Sequence, residues 1–153
     1  MIIEQSTAIN LFDSGQLDAL DSLPSAELKT LSLRREFSSD GILRTYFYGL
    51  NVAKAPLNNP LVRQALAYAI DRKELVQILA GGQIPIQGWL PPGVLGYEAD
   101  RGLSFSPQKA RELLQKAGFS DLANFPKLTL GFNTNEDNQR IGENIQEKLK
   151  KKK

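Results

Sequence analysis

The amino-acid sequence predicts an α/β (α+β) fold in which helices flank a mixed β-sheet. Residues 42–51 follow Gly41 and contain β-branched and aromatic side chains, a composition typical of a central strand. Residues 128–132 alternate in polarity, as a half-buried strand does. Asn59-Pro60 and Ser106-Pro107 each begin a stretch with apolar residues at helical spacing. Strands and helices mixed along one chain indicate this fold class.

Four helices are predicted after residue 58. Asn59 caps the first, Asp71 begins the second in a capping-box pattern, Ser106 caps the third, and the last follows Asn135. The apolar positions expected to face the core are Val62, Ala65, Leu66, Ala69 and Ile70; Leu75, Val76, Ile78 and Leu79; Leu113, Leu114 and Ala117; and Ile141, Ile145 and Leu149.

The rest of the chain predicts shorter elements. Residues 7–14 have the pattern of a short helix ended by Gly15, and residues 17–20 form a weaker strand pattern. Pro24-Ser25 begins another helical turn. The many glycines and prolines of residues 83–104 predict an ordered but irregular loop.

Composition excludes several classes of function. The 153 residues carry 19 basic and 17 acidic side chains, and this net charge of +2 is too balanced to indicate nucleic-acid binding. The absence of Cys and His excludes disulfides, thiolate nucleophiles, Ser-His-acid triads and most catalytic zinc sites. With no nucleotide-binding, hydrolase or calcium-loop motif either, we expect no enzyme, no metal site and no cofactor.

Five segments of the sequence, in a fixed order, carry a resemblance to one family. They are residues 9–18, 46–72, 81–93, 106–119 and 130–135, and they include VRQALAYAIDR at 62–72, WLPPG at 89–93 and SPQKARELLQKAGF at 106–119. Together they resemble the family 5 extracellular solute-binding proteins of ABC importers, the peptide/nickel class, in its oligopeptide-binding subgroup. The resemblance covers almost the whole chain.

The resemblance implies a domain organisation. Such proteins have two lobes of the periplasmic-binding-protein type II fold, and this chain would be part of the second. Residues 1–24 would form the crossover or hinge between lobes, and residues 25–150 a partial C-terminal lobe. Residues 151–153 form a lysine tail that we interpret as a truncation scar or an added solubility tag.

The resemblance also implies partners and a location. The partners would be a peptide ligand, the missing first lobe and the permease subunits of the importer, without nucleic acid. A bare sheet edge would favour an edge-strand dimer. The parent protein would be a periplasmic or extracellular lipoprotein, whereas we expect neither a signal peptide nor a membrane-spanning run in this chain.

Candidate ligand-binding residues cluster where the strand at 128–132 turns into the last helix. Asn133, Thr134, Asn135 and Asn138 lie at this point, and in the family this neighbourhood faces the peptide cleft. The alternative is that Thr134 or Asn135 caps the helix.

Five further side chains leave two interpretations open. Trp89 either lines the cleft as a flat apolar surface for peptide side chains or packs against the lobe and holds its loop in place. Arg63 and Arg72 either form a functional salt bridge or bind phosphate, or they are solvated or paired structural arginines, and the structural interpretation is favoured. Tyr46 and Tyr48 share one face of the predicted strand and are expected in the core.

Three functions follow from these alternatives. The first is a fragment of a peptide-capturing protein that works by closure of two lobes and that alone binds weakly or not at all. The second is a stand-alone structural or interaction module without a small-molecule ligand. The third, an enzyme, is disfavoured by the missing catalytic groups.

Overall fold

The computed structural model describes residues 5–21, 23–134 and 136–150. Helices joined by irregular segments make up this part of the chain. They are α1 (Gln5–Asp13), α2 (Leu28–Leu31), α3 (Pro60–Ala69), α4 (Arg72–Leu79), α5 (Pro107–Lys116) and α6 (Glu136–Lys150), with a 3₁₀ helix at Leu122–Asn124. The helices predicted from capping residues and spacing are confirmed.

The predicted α/β (α+β) class with a mixed β-sheet is wrong for the described residues, which contain no β-strand and no β-bridge. The segments expected as strands are 17–20, 42–51 and 128–132, and all are irregular. A strand requires a neighbour that donates and accepts main-chain hydrogen bonds, and β-favouring composition does not supply one. The part of the chain that the structure describes is therefore helical with long irregular connections.

The chain divides into two compact units. The first comprises Met1–Asp40 with Leu79–Gln83, and the second comprises Gly41–Ile78 with Ile84–Lys153. The predicted crossover segment at residues 1–24 and partial lobe at residues 25–150 stay predictions. The predicted lysine tail at residues 151–153 lies outside the described residues.

The first unit contains α1 and α2. Ile9 of α1 and Leu31 of α2 are buried. Gly15 ends α1 with a positive φ of 72°, as predicted for a helix C-terminus. The Arg34 guanidinium donates to both carboxylate oxygens of Asp13, at 2.5 and 3.2 Å. This hydrogen bonding holds the pKa of Asp13 below its usual value.

In the second unit, α3 and α5 begin with the same local arrangement. Asn59 Oδ1 accepts a hydrogen bond from the N–H two residues later at 2.9 Å, and Ser106 Oγ accepts one from the N–H three residues later at 3.4 Å. Pro60 and Pro107 follow at the first helical position, where no N–H is needed. Both helix starts were predicted from the sequence.

Small side chains allow α3 and α5 to pack closely. Ala65 and Ala69 of α3 and Ala110 of α5 form a buried cluster, and Ala65 is only 1% exposed. Larger side chains surround this cluster: Tyr68, Leu113, Leu114 and Leu149. Because alanine adds little bulk, the two helices can approach each other closely, and replacement of a buried alanine by a larger or charged group is costly.

Glu74 links α4 to α6. Asp71 Oδ1 caps α4 by accepting hydrogen bonds from the Lys73 and Glu74 N–H groups at 2.9 and 3.3 Å. Lys148 Nζ lies 2.6 Å from Glu74 Oε1, to which Asn144 also donates at 3.4 Å. The hydrogen bond to Glu74 raises the pKa of Lys148. The predicted apolar face of α4 is only partly covered, since this helix has no buried residue.

Candidate functional site

Residues 42–50, here called the aromatic strip, lie against residues 84–104, here called the glycine-proline loop. A Leu43 methyl group approaches a glycine of the loop, and the Thr45 hydroxyl donates to a loop carbonyl at 3.0 Å. The Phe47 ring lies against the loop tryptophan with 4.6 Å between centroids. Contact at every second residue is the side-chain period of extended chain. The strip thus has the alternation predicted for a strand without its main-chain pairing.

Trp89 belongs to the glycine-proline loop and faces the aromatic strip. Its carbonyl accepts the Thr45 hydroxyl hydrogen bond, and its ring is tilted by 52° against Phe47. The Trp89 side chain is nevertheless largely accessible, since the residue is 62% exposed. These contacts attach the glycine-proline loop to the aromatic strip, and the predicted contact of Trp89 with a peptide stays a prediction.

Two glycines allow a close backbone crossing next to Trp89. A Cβ added to Gly88 would lie 2.5 Å from the Arg101 carbonyl oxygen, and one added to Gly102 would overlap the Gln87 carbonyl group. Gly102 also has a φ of +144°, which strains any residue with a side chain. The crossing therefore requires glycine, and it fixes the backbone beside the indole.

Arg63 and Arg72 hold main-chain segments against α3. Arg63 Nη1 donates to the Leu57 and Asn58 carbonyls at 2.8 and 3.0 Å. Arg72 Nη1 donates to the Leu103 carbonyl at 3.1 Å, and burial lowers the pKa of Arg72. These contacts agree with the structural interpretation of both arginines.

Tyr46 and Tyr48 lie in the aromatic strip with their rings edge to face, 5.6 Å between centroids. Tyr46 is 56% exposed, so its expected place in the core is wrong. Tyr48 is half-buried, and its hydroxyl has no hydrogen-bond partner among the described residues. Burial, and secondarily the neighbouring Tyr46, raise the pKa of Tyr48.

The structure joins two of the four candidate residues near α6. Asn138 Nδ2 donates to Asn133 Oδ1 at 2.7 Å, so both amides are oriented by one hydrogen bond. Thr134 is exposed beside them. Asn135, predicted as a cap or ligand contact, lies outside the described residues.

Phe132 covers α6 at Gly142. A Cβ added to Gly142 would lie 2.8 Å from Phe132 Cε1, closer than a real side chain tolerates. The ring therefore occupies the space that glycine leaves on the helix surface. This contact positions the segment that leads to Asn133 against α6.

A separate groove lies near the start of α3 and has a volume of about 260 Å³. Its lining consists of Ala55, Pro56, Asn58, Asn59, Ala117, Phe119 and Pro126. Phe119 is held by an edge-to-face contact with Phe125, at 4.9 Å between centroids. Two amide side chains are the polar groups of this lining, which carries no charged residue.

Two kinds of feature are absent from the described ranges 5–21, 23–134 and 136–150. There is no group of three or more acidic, His or Cys side chains placed to hold a metal ion. No helix there combines the length and apolar composition needed to cross a membrane.

Sequence reasoning missed Thr45 and Phe47 as partners of Trp89, and it missed the Gly88–Gly102 crossing. The shared side of Thr45 and Phe47 could have been predicted, because residues two apart lie on one face of an extended segment. The Gly88–Gly102 crossing could not, because a contact between loop positions 14 residues apart leaves no local pattern in the sequence.

Comparisons with known proteins identify similar chains. The family model described as "Bacterial extracellular solute-binding proteins, family 5 Middle" matches residues 1–152. The oligopeptide-binding protein OppA of Bacillus subtilis (strain 168) is 31% identical over 163 residues, which cover 99% of this chain and 30% of that protein. The glutathione-binding protein GsiB of Salmonella choleraesuis is 31% identical over 124 residues, covering 78% of this chain and 24% of that protein.

A solved structure is also similar. It is the crystal structure of a periplasmic oligopeptide-binding protein (OppAIV) from Borrelia burgdorferi, with a TM-score of 0.86 and 38% sequence identity. The match covers 97% of this chain and 30% of that one. The chain thus spans less than a third of the length of these relatives.

Proposed function

The chain belongs to family 5 of the bacterial extracellular solute-binding proteins, and we propose that a longer protein containing it captures peptides for an ABC importer. Two of the similar proteins are named as oligopeptide-binding, and a third as glutathione-binding. A solute-binding role is common to these names, and none is the name of an enzyme. We therefore propose recognition and delivery, without catalysis.

The observation that carries this proposal is the arrangement of Trp89: its carbonyl accepts a hydrogen bond from Thr45, its indole packs against the Phe47 ring, and the residue is still 62% exposed. A side chain that is already ordered loses little entropy when a ligand covers it. An aromatic face also accepts apolar groups of many shapes, which suits peptides of varied sequence. Phe47 enlarges this surface. We assign it to the side chains of the bound peptide.

The main chain of the peptide needs polar partners. We propose the amides of Asn133, Asn135 and Asn138 and the hydroxyl of Thr134 for this role, because these groups both donate and accept hydrogen bonds. The hydrogen bond between Asn133 and Asn138 orients both amides before a ligand arrives. Such hydrogen bonds recognise the peptide main chain, which is the same in every peptide, so they do not depend on the amino-acid sequence of the ligand.

Closure around the ligand would complete the site. In the proposed mechanism this chain contributes one side of a cleft, the first lobe contributes the other, and the closed form is presented to the permease subunits. The complete protein would act in the periplasm or outside the cell, held at the membrane as a lipoprotein. The 153-residue chain alone would bind weakly, since a bound peptide would stay solvated on its other side.

The first experiment uses a complete binding protein that contains this chain. Trp89→Ala should weaken peptide binding about tenfold or more, which corresponds to roughly 1.4 kcal/mol per factor of ten. Leu95→Ala in the same loop is the matched control, because Leu95 is 100% exposed. Isothermal titration calorimetry with tri- to pentapeptides measures both. Equal affinities for the two variants would contradict the assignment of Trp89.

The second experiment separates the proposal from a stand-alone structural module. The 153-residue chain is titrated with the same peptides and followed by the fluorescence of Trp89, its single tryptophan. We expect no binding tighter than millimolar, with clear binding by the complete protein. Micromolar binding by the isolated chain would contradict the need for a second lobe, whereas no binding by either protein would favour the structural module.

A further inference from the structure

Arg72 is a half-buried arginine for which the proposed mechanism has no role. Its guanidinium donates to two main-chain carbonyls, that of Ala67 in α3 at 3.4 Å and that of Leu103 in the glycine-proline loop at 3.1 Å. Burial disfavours its charge, and among the described residues no ion pair offsets this cost. The two carbonyls are therefore the groups that compensate the guanidinium, and they tie the loop to a helix.

The end of the loop at Leu103 is docked on α3 by more than this one bond. The Ser106 N–H donates to the Tyr68 carbonyl of α3 at 2.9 Å. Together with the bond from Arg72, it fixes two main-chain groups, three residues apart, at the C-terminal end of α3. Since α3 packs against α5 in the buried core of this unit, residues 103–106 take a fixed position from the helices.

This fixed end of the loop touches the residues that precede Trp89. A Cβ added to Gly102 would overlap the Gln87 carbonyl group and lie 2.8 Å from the Gly88 nitrogen, so the two main chains are in direct contact. Gly102 is bonded to Leu103, and Gly88 is bonded to Trp89. A displacement at Leu103 is therefore passed through the Gly88–Gly102 crossing to the indole.

The aromatic strip contacts Trp89 from another side but supports it less firmly. Its Phe47 ring is 57% exposed. Among the described residues, one main-chain hydrogen bond lies within the strip, from the Arg44 N–H to the Ile42 carbonyl. A segment with few buried contacts and few main-chain hydrogen bonds opens at low free energy. The position of the indole therefore depends on the crossing as well as on the strip.

We propose that Arg72 is a positioning residue for the ligand surface at Trp89, acting through the Gly88–Gly102 crossing. The bond to the Leu103 carbonyl holds one side of the crossing on α3, and the other side continues into the indole residue. Arg72 itself needs no contact with a ligand. Its effect on peptide binding rests on the proposed function, whereas its effect on the position of the indole does not.

The first experiment follows fluorinated tryptophan by fluorine NMR in a complete binding protein that contains this chain, with the Trp89 line assigned by Trp89→Phe. Arg72→Met removes the donors and should move this line toward its position in the urea-unfolded protein. Arg63→Met is the matched control, because Arg63 also donates to two carbonyls, those of Leu57 and Asn58, outside the glycine-proline loop. A line that responds equally to both variants, or to neither, overturns the proposal.

A second variant tests the crossing without changing Arg72. A Cβ added to Gly88 would lie 2.5 Å from the Arg101 carbonyl oxygen, and Gly88 has no positive φ, so the effect of Gly88→Ala comes from this contact. We expect the Trp89 line to shift. Gly41→Ala is the control, since an added Cβ there has no neighbouring atom within 4 Å. A Trp89 line that stays in place in Gly88→Ala overturns the role of the crossing.

Isothermal titration calorimetry with tri- to pentapeptides tests the consequence for binding by the complete protein. Arg72→Met should weaken binding by about threefold to tenfold, and it should add no loss when Trp89 is already alanine. Equal losses in both backgrounds would show that Arg72 does not act through Trp89. If Trp89→Ala alone leaves the affinity unchanged, the proposed function fails, and the fluorine spectrum still decides whether Arg72 positions the indole.

Discussion

Two regions of the second unit bury their apolar residues to different extents. In the α3–α5 pair, Val62 and Ala65 are 0% and 1% exposed. In the aromatic strip, Ile42 and Phe47 are 72% and 57% exposed. Both regions are rich in apolar residues, so hydrophobicity alone does not explain the difference.

The difference lies in where each region finds its hydrogen-bond partners. A helix satisfies its main chain internally and needs only one packed face, which α3 and α5 supply for each other. The aromatic strip has the side-chain alternation of a strand, but a strand depends on a neighbouring segment for its hydrogen bonds. The comparison therefore separates an element that is complete in itself from one that requires a partner.

The largest expected effect comes from a charge in the helix pair. Ala65→Asp should destabilise the chain by more than about 4 kcal/mol, because a buried carboxylate has no partner there. Gln64→Asp adds the same charge on the exposed side of α3 and should cost less than about 1 kcal/mol. Urea unfolding followed by far-UV circular dichroism measures both. Similar losses for the two variants would mean that α3 and α5 do not form a packed core.

A smaller effect is expected in the loop that faces the strip. Gly102→Ala should cost about 1–3 kcal/mol from backbone strain, and it should move the Gln87 carbonyl away. Hydrogen exchange should increase around Trp89 while the helices keep their protection. Gly41→Ala is the control, since Gly41 has no neighbouring atom within 4 Å of an added Cβ. A loss of helix protection would show that loop and helices unfold together.

The smallest effect is expected where an irregular segment meets a helix. Gly142→Ala gains about 1 kcal/mol of helix propensity but places a Cβ 2.8 Å from the Phe132 ring, so the two contributions should nearly cancel. In a Phe132→Ala background the gain should appear in full. A double-mutant cycle by urea unfolding measures this coupling. Equal effects of Gly142→Ala in both backgrounds would show that the ring does not contact the helix.

The sequence predicted the helices well because their signals are local. Asn59, Ser106 and Asp71 cap helices as expected, and the observed cap bonds span only two or three residues. The alanine positions of α3 also followed from helical spacing. Capping and periodicity involve neighbours in the chain, so they can be deduced without knowledge of the fold.

The sheet could not be predicted reliably, because a strand requires a partner strand that can come from a distant part of the sequence. The composition of residues 42–51 favours a strand wherever a partner strand exists, and the described residues contain none. The candidate site shows the same limit. Trp89 was singled out from its sequence, whereas its contact with Phe47 joins segments 42 residues apart.

The guanidinium of Arg72 donates hydrogen bonds to the Ala67 and Leu103 carbonyls, and among the described residues it forms no ion pair. Carbonyl oxygens do not titrate over the ordinary pH range, and an arginine stays protonated throughout it. The hydrogen bonds of Arg72 should therefore be insensitive to pH and to salt concentration, while the half-buried Glu74–Lys148 pair weakens as the salt concentration rises. The Arg72 hydrogen bond would therefore hold the end of the glycine-proline loop at Leu103 over a wide range of pH and salt concentration.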